Sequence, residues 1–454
     1  MKVMKQLALL GVIAIAISGC STFRGKKPRT AVLGQRIAIL TSEQDAGSDP
    51  SLAAVSILLP PATLNTEWAQ PGGNAAKSMD HLALGPNPVK VWEAKIAGTN
   101  KYRRLASPPV AAEGRIYVID SFAVVHAFNA TTGAREWEAL VGNSDDAKGG
   151  RNLISGERTT NRGSLFGGGV SYEGGKLYAT NGLGDVAALN AADGKRLWQV
   201  RPAGPLRGAP SVGIGTVIVT TQDNQIIALA EADGKVAWTE SAGLEVSGIF
   251  GVGAPAIAQG TIVAGFSSGE LNAYRYENGR TLWSDALSRT SISTSVSSLS
   301  DVDASPVIDR GRVFAIGKGG RMVSLDLVTG QRLWEINLAG ISTPWVVGEW
   351  VFVVDDDARL LCIARATGKV RWLTQLPGYK NVKKKQNPID WAGPVLAGDR
   401  LILASSRGAM VSVSATDGTV QSQSKIGGTV LLSPIVANNM LFMLTNEGRL
   451  IAWR

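Results

Sequence analysis

Short apolar runs, separated by polar turns that contain glycine, recur from residue 88 to residue 454. The runs are four or five residues long and rich in Val, Ile and Phe, which is typical of β-strands. In six copies a Trp stands four residues after a turn glycine: Gly133/Trp137, Gly194/Trp198, Gly234/Trp238, Gly279/Trp283, Gly330/Trp334 and Gly368/Trp372. A repeat of about 40–50 residues with this pattern predicts the blades of a β-propeller, with four antiparallel strands in each blade.

The segment 304–334 contains the four predicted strands of one blade. Ala304–Ile308 is the inner strand beside the channel, and its Pro306 fits a strand start. Val313–Ile316 and Met322–Asp326 are the second and third strands, and Gln331–Trp334 is the outer strand. We expect the Trp of each copy to pack flat between blades over a glycine turn, as a structural residue and not as a ligand-stacking one.

Two incomplete copies set the number of blades. The seventh copy begins at Trp391 and has Ser422 where the others have Trp. The last copy, residues 433–453, holds only three strands, and Val89–Trp92 could supply the fourth. Because pairing these two segments would remove open sheet edges, we predict an all-β, eight-bladed propeller over 88–454, closed by its N- and C-terminal strands.

The first twenty residues have the pattern of an export signal. Lys2 and Lys5 precede the apolar run Leu7–Ile17, which is too short to cross a bilayer comfortably. Ser18-Gly19-Cys20 then resembles a bacterial lipobox, in which the cysteine is lipidated, and Ser21 suggests sorting to the outer membrane. An ordinary signal peptide with an incidental cysteine is the alternative. We therefore predict a signal peptide at 1–19 and a lipidated tether and strap at 20–87.

Charge and cysteine content exclude several classes of protein. The formal net charge is +9, but the basic residues are scattered apart from the run Lys383–Lys385, and no aromatic residues are interleaved with them. This argues against a nucleic-acid interface. Only two cysteines are present, and Cys362 lies in an apolar strand, so we expect it to be buried and predict no disulfide.

The residues give little support for catalysis. His81 and His126 have no neighbouring His or Cys at metal-ligand spacing, and no nucleophile, zinc or phosphate-loop motif is present. Asp355–Asp357 fit either a Ca²⁺ site or a hairpin cap, and we favour the cap. We therefore predict no enzyme activity and no catalytic, cofactor-binding or metal-binding residues.

The repeat as a whole resembles the blades of pyrroloquinoline-quinone-type propellers, which have two branches. The quinoprotein dehydrogenases use a bound quinone, Ca²⁺ and usually a vicinal cysteine pair, which this chain lacks. The other branch is the BamB family of lipoproteins of the β-barrel assembly machinery. The stretch Ser298–Val307 is very similar to a family segment, and the lipobox, tether and ring also match. The resemblance implies a non-enzymatic scaffold that faces the periplasm from the outer membrane of a Gram-negative bacterium.

The same resemblance implies partners and contact residues. In the family the positions of Asp301 and Asp303 contact a POTRA domain of BamA, Ile249 matches an apolar contact, and Phe250 stands where the family has an Arg ahead of an Ala-Pro strand start. We expect an apolar spot with an exposed acidic rim. From the residues alone, an acidic pair without any partner fits as well. The other implied partners are the rest of the assembly complex, nascent outer-membrane proteins, and the membrane through the N-terminal lipid.

Two other functions remain open on the sequence alone. One is a quinoprotein dehydrogenase that uses pyrroloquinoline quinone, and the other is a cell-wall glycan-binding module. Both would use the same propeller.

Overall fold

Eight four-stranded antiparallel sheets form the blades of a β-propeller. The computed structural model describes residues 46–101, 103–143, 168–244, 253–287 and 301–454. Within each of the first seven blades the strands follow chain order from the inner to the outer edge. The predicted all-β, eight-bladed fold is therefore confirmed.

Strand β1 (Lys90–Lys95) precedes the first blade. Blade one contains β2 (Val110–Ala112), β3 (Arg115–Ile119), β4 (Val124–Asn129) and β5 (Arg135–Leu140), and blade two contains β6 (Val170–Glu173), β7 (Lys176–Thr180), β8 (Val186–Asn190) and β9 (Arg196–Val200). Blade three contains β10 (Ser211–Gly213), β11 (Thr216–Thr220), β12 (Gln225–Ala230) and β13 (Val236–Ser241). Blade four contains β14 (Ala256–Ala258), β15 (Thr261–Gly265), β16 (Glu270–Arg275) and β17 (Thr281–Ala286).

Blade five contains β18 (Val307–Asp309), β19 (Arg312–Gly317), β20 (Arg321–Asp326) and β21 (Arg332–Ile336). Blade six contains β22 (Trp345–Val347), β23 (Trp350–Val354), β24 (Arg359–Ala364) and β25 (Val370–Gln375). Blade seven contains β28 (Trp391–Ala397), β29 (Arg400–Ser405), β30 (Ala409–Ser414) and β31 (Val420–Lys425). A separate hairpin, β26 (Tyr379–Asn381) and β27 (Gln386–Pro388), lies between blades six and seven in the chain. The last blade holds β32 (Ile435–Ala437), β33 (Met440–Leu444) and β34 (Arg449–Trp453).

Strand β1 completes the eighth blade and closes the ring. It pairs antiparallel with β34, with Lys90 opposite Trp453 and Lys95 opposite Arg449. Arg449 also donates from Nη2 to Oε2 of Glu93 across this pair, at 2.8 Å. Because such a partly exposed ion pair is worth about 0–1 kcal/mol, most of the closure comes from the backbone pairing and the packing beneath it.

Seven of the eight seams between blades are covered by the Trp that the repeat places on the outer strand. Nε1 of Trp283 in blade four donates to the carbonyl of Leu327 in blade five, at 2.9 Å. The turn glycine below the ring is Gly330, with a φ of +70°, and a Cβ there would lie 2.5 Å from Cγ of Trp283. The same close approach recurs in the pairs Trp92/Gly133, Trp137/Gly194, Trp198/Gly234, Trp238/Gly279, Trp334/Gly368 and Trp372/Gly418.

The topology gives the ring two distinct faces. A connection leads from the outer strand of each blade to the inner strand of the next. The face of the ring that carries these connections is called the connection face. The turns that carry the glycines beneath the Trp rings lie on the opposite face, because four antiparallel strands alternate in direction. Asp301 and Asp303, which precede β18, are therefore on the connection face.

Residues 63–82, which we call the strap, bond to the inner strand or its following turn in every blade. Trp68 and Ala111 exchange backbone hydrogen bonds of 2.7 and 2.9 Å, and the rings of Trp68 and Trp345 stack with centroids 6.1 Å apart. In order around the ring from blade eight, the contacts are Asn65 to Val436, Trp68 to Ala111, Ala69 to Tyr172, Gln70 to Val212, Ala75 to Ile257, Ala76 to Ile308, Asp80 to Trp345 and Leu82 to Leu396. The strap thus runs once around the channel.

Residues 46–55 lie against the outer edge of blade six. Ser48 pairs in parallel with Val370, and the amide of Asp49 donates to the Val370 carbonyl at 2.7 Å. A 3₁₀ turn at Pro50–Leu52 follows, with Asp49 as its N-cap. Across the described part of the chain, no helix combines the length and the apolar character needed to cross a membrane.

Candidate functional site

The acidic pair on the connection face surrounds an arginine. Nη2 of Arg207 lies 3.0 Å from Oδ1 of Asp301 and 3.4 Å from Oδ1 of Asp303. Arg207 comes from the connection that enters blade three, and the two carboxylates come from the connection that enters blade five. All three side chains are buried, so the ion pairs are shielded from solvent.

A buried asparagine extends this cluster across blade four. Oδ1 of Asn224 lies 3.4 Å from Nη1 of Arg207 and accepts from both the amide and the hydroxyl of Ser267, at 3.2 and 2.8 Å. Nδ2 of Asn224 donates to the carbonyl of Gly243 at 2.7 Å. The network therefore joins connections and turns of three successive blades on one face.

Burial changes the acidity of Asp303. Its removal from water and, to a lesser degree, the nearby carboxylate of Asp301 raise the pKa of the Asp303 carboxyl to about 7, even though Arg207 and Lys318 oppose the shift. One arginine thus faces two carboxylates in a dry environment. The cluster holds a proton over a pH range in which an ordinary aspartate would have lost it.

The exposed acidic rim expected from the sequence is not what the structure shows. Asp301 and Asp303 are only 1% and 6% exposed, because their carboxylates turn inward to Arg207. The predicted apolar contacts Ile249 and Phe250 lie between β13 and β14 in the chain, and Cys20 lies near its start. All three fall outside the described residues.

Sequence reasoning missed Arg207. The residue stands in Arg207-Gly208-Ala209-Pro210, an arginine ahead of an Ala-Pro strand start, one blade before the loop in which the family resemblance implies such an arginine. The repeated Ala-Pro was a usable signal, since Ala254-Pro255 opens the next blade in the same way. Nothing in the local pattern showed which acidic residues the side chain would reach.

The remaining candidate residues have structural contacts. His126 lies on β4 with Nε2 3.0 Å from Oδ2 of Asp120, and Nε2 of His81 accepts from the amide of Asp399 at 3.0 Å. Oδ1 of Asp355 accepts from the amide of Arg359 at 2.7 Å, which is the predicted hairpin cap. Cys362 is fully buried on β24, and burial raises the pKa of its thiol.

Among the described residues, no group of three or more His, Cys, Asp or Glu side chains is placed to hold a metal ion. The cluster around Arg207 is held together by ion pairs and hydrogen bonds on the connection face.

Comparison with solved structures places the fold among known propellers. The crystal structure of BamB from Moraxella catarrhalis superposes with a TM-score of 0.63 at 16% identity, over 81% of this chain and 100% of the other. A quinohemoprotein alcohol dehydrogenase from Comamonas testosteroni gives 0.62 at 15% identity, over 86% and 81%. At these identities the likeness shows the fold alone, and it does not separate the two branches.

Sequence comparison does separate them. Outer membrane protein assembly factor BamB from Moranella endobia (strain PCIT) is 26% identical over 369 residues, which is 80% of this chain and 90% of the relative. The family model described as outer membrane protein assembly factor BamB matches residues 122–374. Because that match covers more than half of the 454 residues, the chain belongs to the BamB family of outer-membrane protein assembly factors.

Proposed function

We propose that this chain is a non-enzymatic scaffold of the β-barrel assembly machinery, which assists the folding and insertion of outer-membrane β-barrel proteins. The observation that carries the proposal is the family match over residues 122–374, read together with the closed eight-bladed ring. A propeller of this kind offers a broad face of connections to a partner, and a scaffold needs no reacting groups. The quinoprotein function is not retained, because the family model and the curated relatives are those of BamB.

The partner contact is proposed on the connection face, with BamA and one of its POTRA domains as the partner. Ile249 and Phe250 would supply apolar contact there, and aromatic side chains are common anchors of protein interfaces. Because Asp301 and Asp303 are buried against Arg207, we assign them a positioning role. They hold the connections of blades three and five at a fixed separation, and the connection that carries Ile249 and Phe250 lies between these two in the chain.

Attachment to the membrane is proposed through Cys20. A diacylglycerol group on its sulfur and a third acyl chain on its amine would give several lipid chains, which is enough for stable anchoring. Anchored in this way, the propeller would face the periplasm and remain beside the assembly complex. Mass spectrometry of the mature N-terminus tests this, since lipidation predicts a chain that begins at a modified Cys20.

Purification of tagged full-length protein from membranes tests the BamA contact. Phe250→Asp should lower the recovery of BamA about tenfold or more, since it places a charge in an apolar contact. Val328→Asp is the matched control, because Val328 is 75% exposed on the face opposite the connections. Equal recovery of BamA with the two variants would remove the site assignment, and absence of BamA from the wild-type sample would remove the partner.

A further inference from the structure

The β26–β27 hairpin carries a concentrated positive charge that the scaffold function does not use. It contains Lys380, Lys383, Lys384 and Lys385, and every residue from Lys380 to Pro388 is exposed. The two strands pair Tyr379 with Pro388 and Asn381 with Gln386, and the Ile389 amide closes the base on the Gly378 carbonyl at 2.9 Å. The lysines are therefore displayed on an ordered hairpin.

These ammonium groups lack acidic partners in the described structure. No Asp or Glu occurs from Leu376 to Ile389, and none of the four lysines forms an ion pair with a described residue. Arg407 adds charge at the base, where its Nη2 lies 3.4 Å from the Pro388 carbonyl. Lysines at the turns of the blades differ, since Lys195 and Lys235 lie 3.0 and 2.7 Å from Asp193 and Asp233.

The composition of the hairpin favours a lipid surface over a protein surface. Protein interfaces are enriched in Arg and depleted of Lys, whereas lysine clusters bind the anionic headgroups of membranes. Val382, which is 72% exposed, stands among the lysines, and Tyr379 lies at the base of the hairpin. Basic side chains with an aliphatic tip and an aromatic ring match the polar and apolar layers of a bilayer interface.

We propose that the β26–β27 hairpin binds the anionic phospholipid headgroups of the membrane to which the protein is attached. The proposal rests on the proposed lipid anchor only for its proximity to a bilayer. Four lysines and one inserted aliphatic side chain give a weak contact alone, but a lipid anchor raises the local concentration of headgroups. The hairpin lies in a connection between an outer and an inner strand, so binding would turn the connection face toward the membrane.

A labelled hairpin measures this contact directly. Val382→Cys offers an accessible thiol for an environment-sensitive dye, whereas Cys362 is fully buried and protected from labelling. The full-length lipoprotein is reconstituted into vesicles of phosphatidylcholine with or without 30% phosphatidylglycerol, and quenching by brominated lipid reports insertion. We expect a blue shift and quenching only in the anionic vesicles, reduced by 0.5 M salt. The wild-type protein, in which Val382 is intact, measures any background labelling.

Charge variants test whether the insertion depends on the lysines of the hairpin. Each lysine near an anionic surface contributes roughly fivefold to binding, so Lys383→Glu/Lys384→Glu should lower the inserted-to-free ratio about 25-fold or more. The double variant Lys383→Gln/Lys384→Gln should lower this ratio less. The control is Lys195→Glu/Lys235→Glu, which makes the same charge change as the Glu variant on exposed turns and should leave the ratio unchanged. Equal signals with and without phosphatidylglycerol would overturn the proposal. It would also be overturned if the dye responded to polyglutamate, an acidic polypeptide, but not to the anionic vesicles. BamA is absent from the assay, so its result is independent of the scaffold contact.

Discussion

At the scale of single residues, the candidate site depends on the balance of one cation and two carboxylates. Arg207 forms ion pairs with both Asp301 and Asp303. Its guanidinium can donate to several acceptors in a fixed plane, which lysine cannot reproduce. The charges are removed from water, so the cost of losing the cation is much larger than at the surface.

We therefore expect Arg207→Met to destabilise the protein strongly. The variant leaves two carboxylates buried without their arginine, and breaking a buried pair in this way costs about 3–5 kcal/mol of unfolding free energy. Arg280→Met, at an exposed position, should change it by less than about 0.5 kcal/mol. Urea unfolding at pH 8 measures both, and a loss under about 1 kcal/mol for Arg207→Met would show that the cluster carries little stability.

Asp303 predicts a specific dependence of stability on pH. Its pKa is about 7 in the folded protein and near 3.8 when unfolded, so the folded state binds the proton more tightly. The stability that this proton contributes is complete below about pH 4 and is lost as the pH rises through 7. Asp303→Asn resembles the protonated form, so its unfolding free energy should decline less than that of the wild type between pH 5 and 8. Parallel pH profiles for the two proteins would contradict the assignment.

At the scale of elements, the seam between neighbouring blades is the repeating unit of stability. Each outer-strand Trp packs on the turn glycine of the next blade and donates from Nε1 to a carbonyl there. Ser422 breaks the pattern at the seventh seam for a structural reason. In blade eight the third strand is β34 and the outer strand is β1, so no turn joins them and no glycine needs a cover.

This account predicts opposite outcomes for two Trp positions. Trp283→Ala removes a buried ring and a hydrogen bond, and should cost about 3–5 kcal/mol and lower Tm clearly in calorimetry. Ser422→Trp should not raise Tm, because its ring would find no turn to cover. If Ser422→Trp stabilised the protein by as much as Trp283→Ala destabilises it, a Trp on the outer strand would be stabilising without a turn glycine beneath it. That result would contradict the account of the seam as a contact between Trp and turn.

The elements could be predicted from the sequence because each blade is specified locally. The Gly-to-Trp spacing, the apolar runs and the partial last copy together give the strands, the number of blades and the closure by β1. The acidic pair could not be placed in the same way. Its burial depends on Arg207, which is 94 positions from Asp301 in the chain and reaches it only after blades three, four and five have assembled.

At the scale of the whole molecule, the strap makes the ring a single cooperative unit. In seven of the eight blades its hydrogen bonds satisfy backbone groups of the inner strand, and in blade six Nε1 of Trp345 donates to the carbonyl of Asp80. Trp68 is its main anchor, since it is almost fully buried, pairs with Ala111 and stacks on Trp345. The strap contacts the inner strands toward their ends, so the connection face is the side left for partners.

Loss of that anchor should loosen the strap while leaving the blades intact. Trp68→Ala is expected to speed hydrogen exchange at the amides of Tyr172, Ile257 and Ile308, which donate to strap carbonyls. The amide of Val323, inside β20, should keep its protection. Exchange measured by mass spectrometry or NMR distinguishes this from global loosening, in which all four amides would exchange faster together.

The central claim is that the protein docks on the assembly machinery through its connection face, and photocrosslinking in living cells tests it most directly. A benzophenone amino acid is placed either at Phe250, the proposed contact, or at Val328, on the face opposite the connections. The account predicts a crosslink to BamA from position 250 and none from position 328. A crosslink to BamA from position 328 alone, or from neither position while the protein is stably produced, would contradict it.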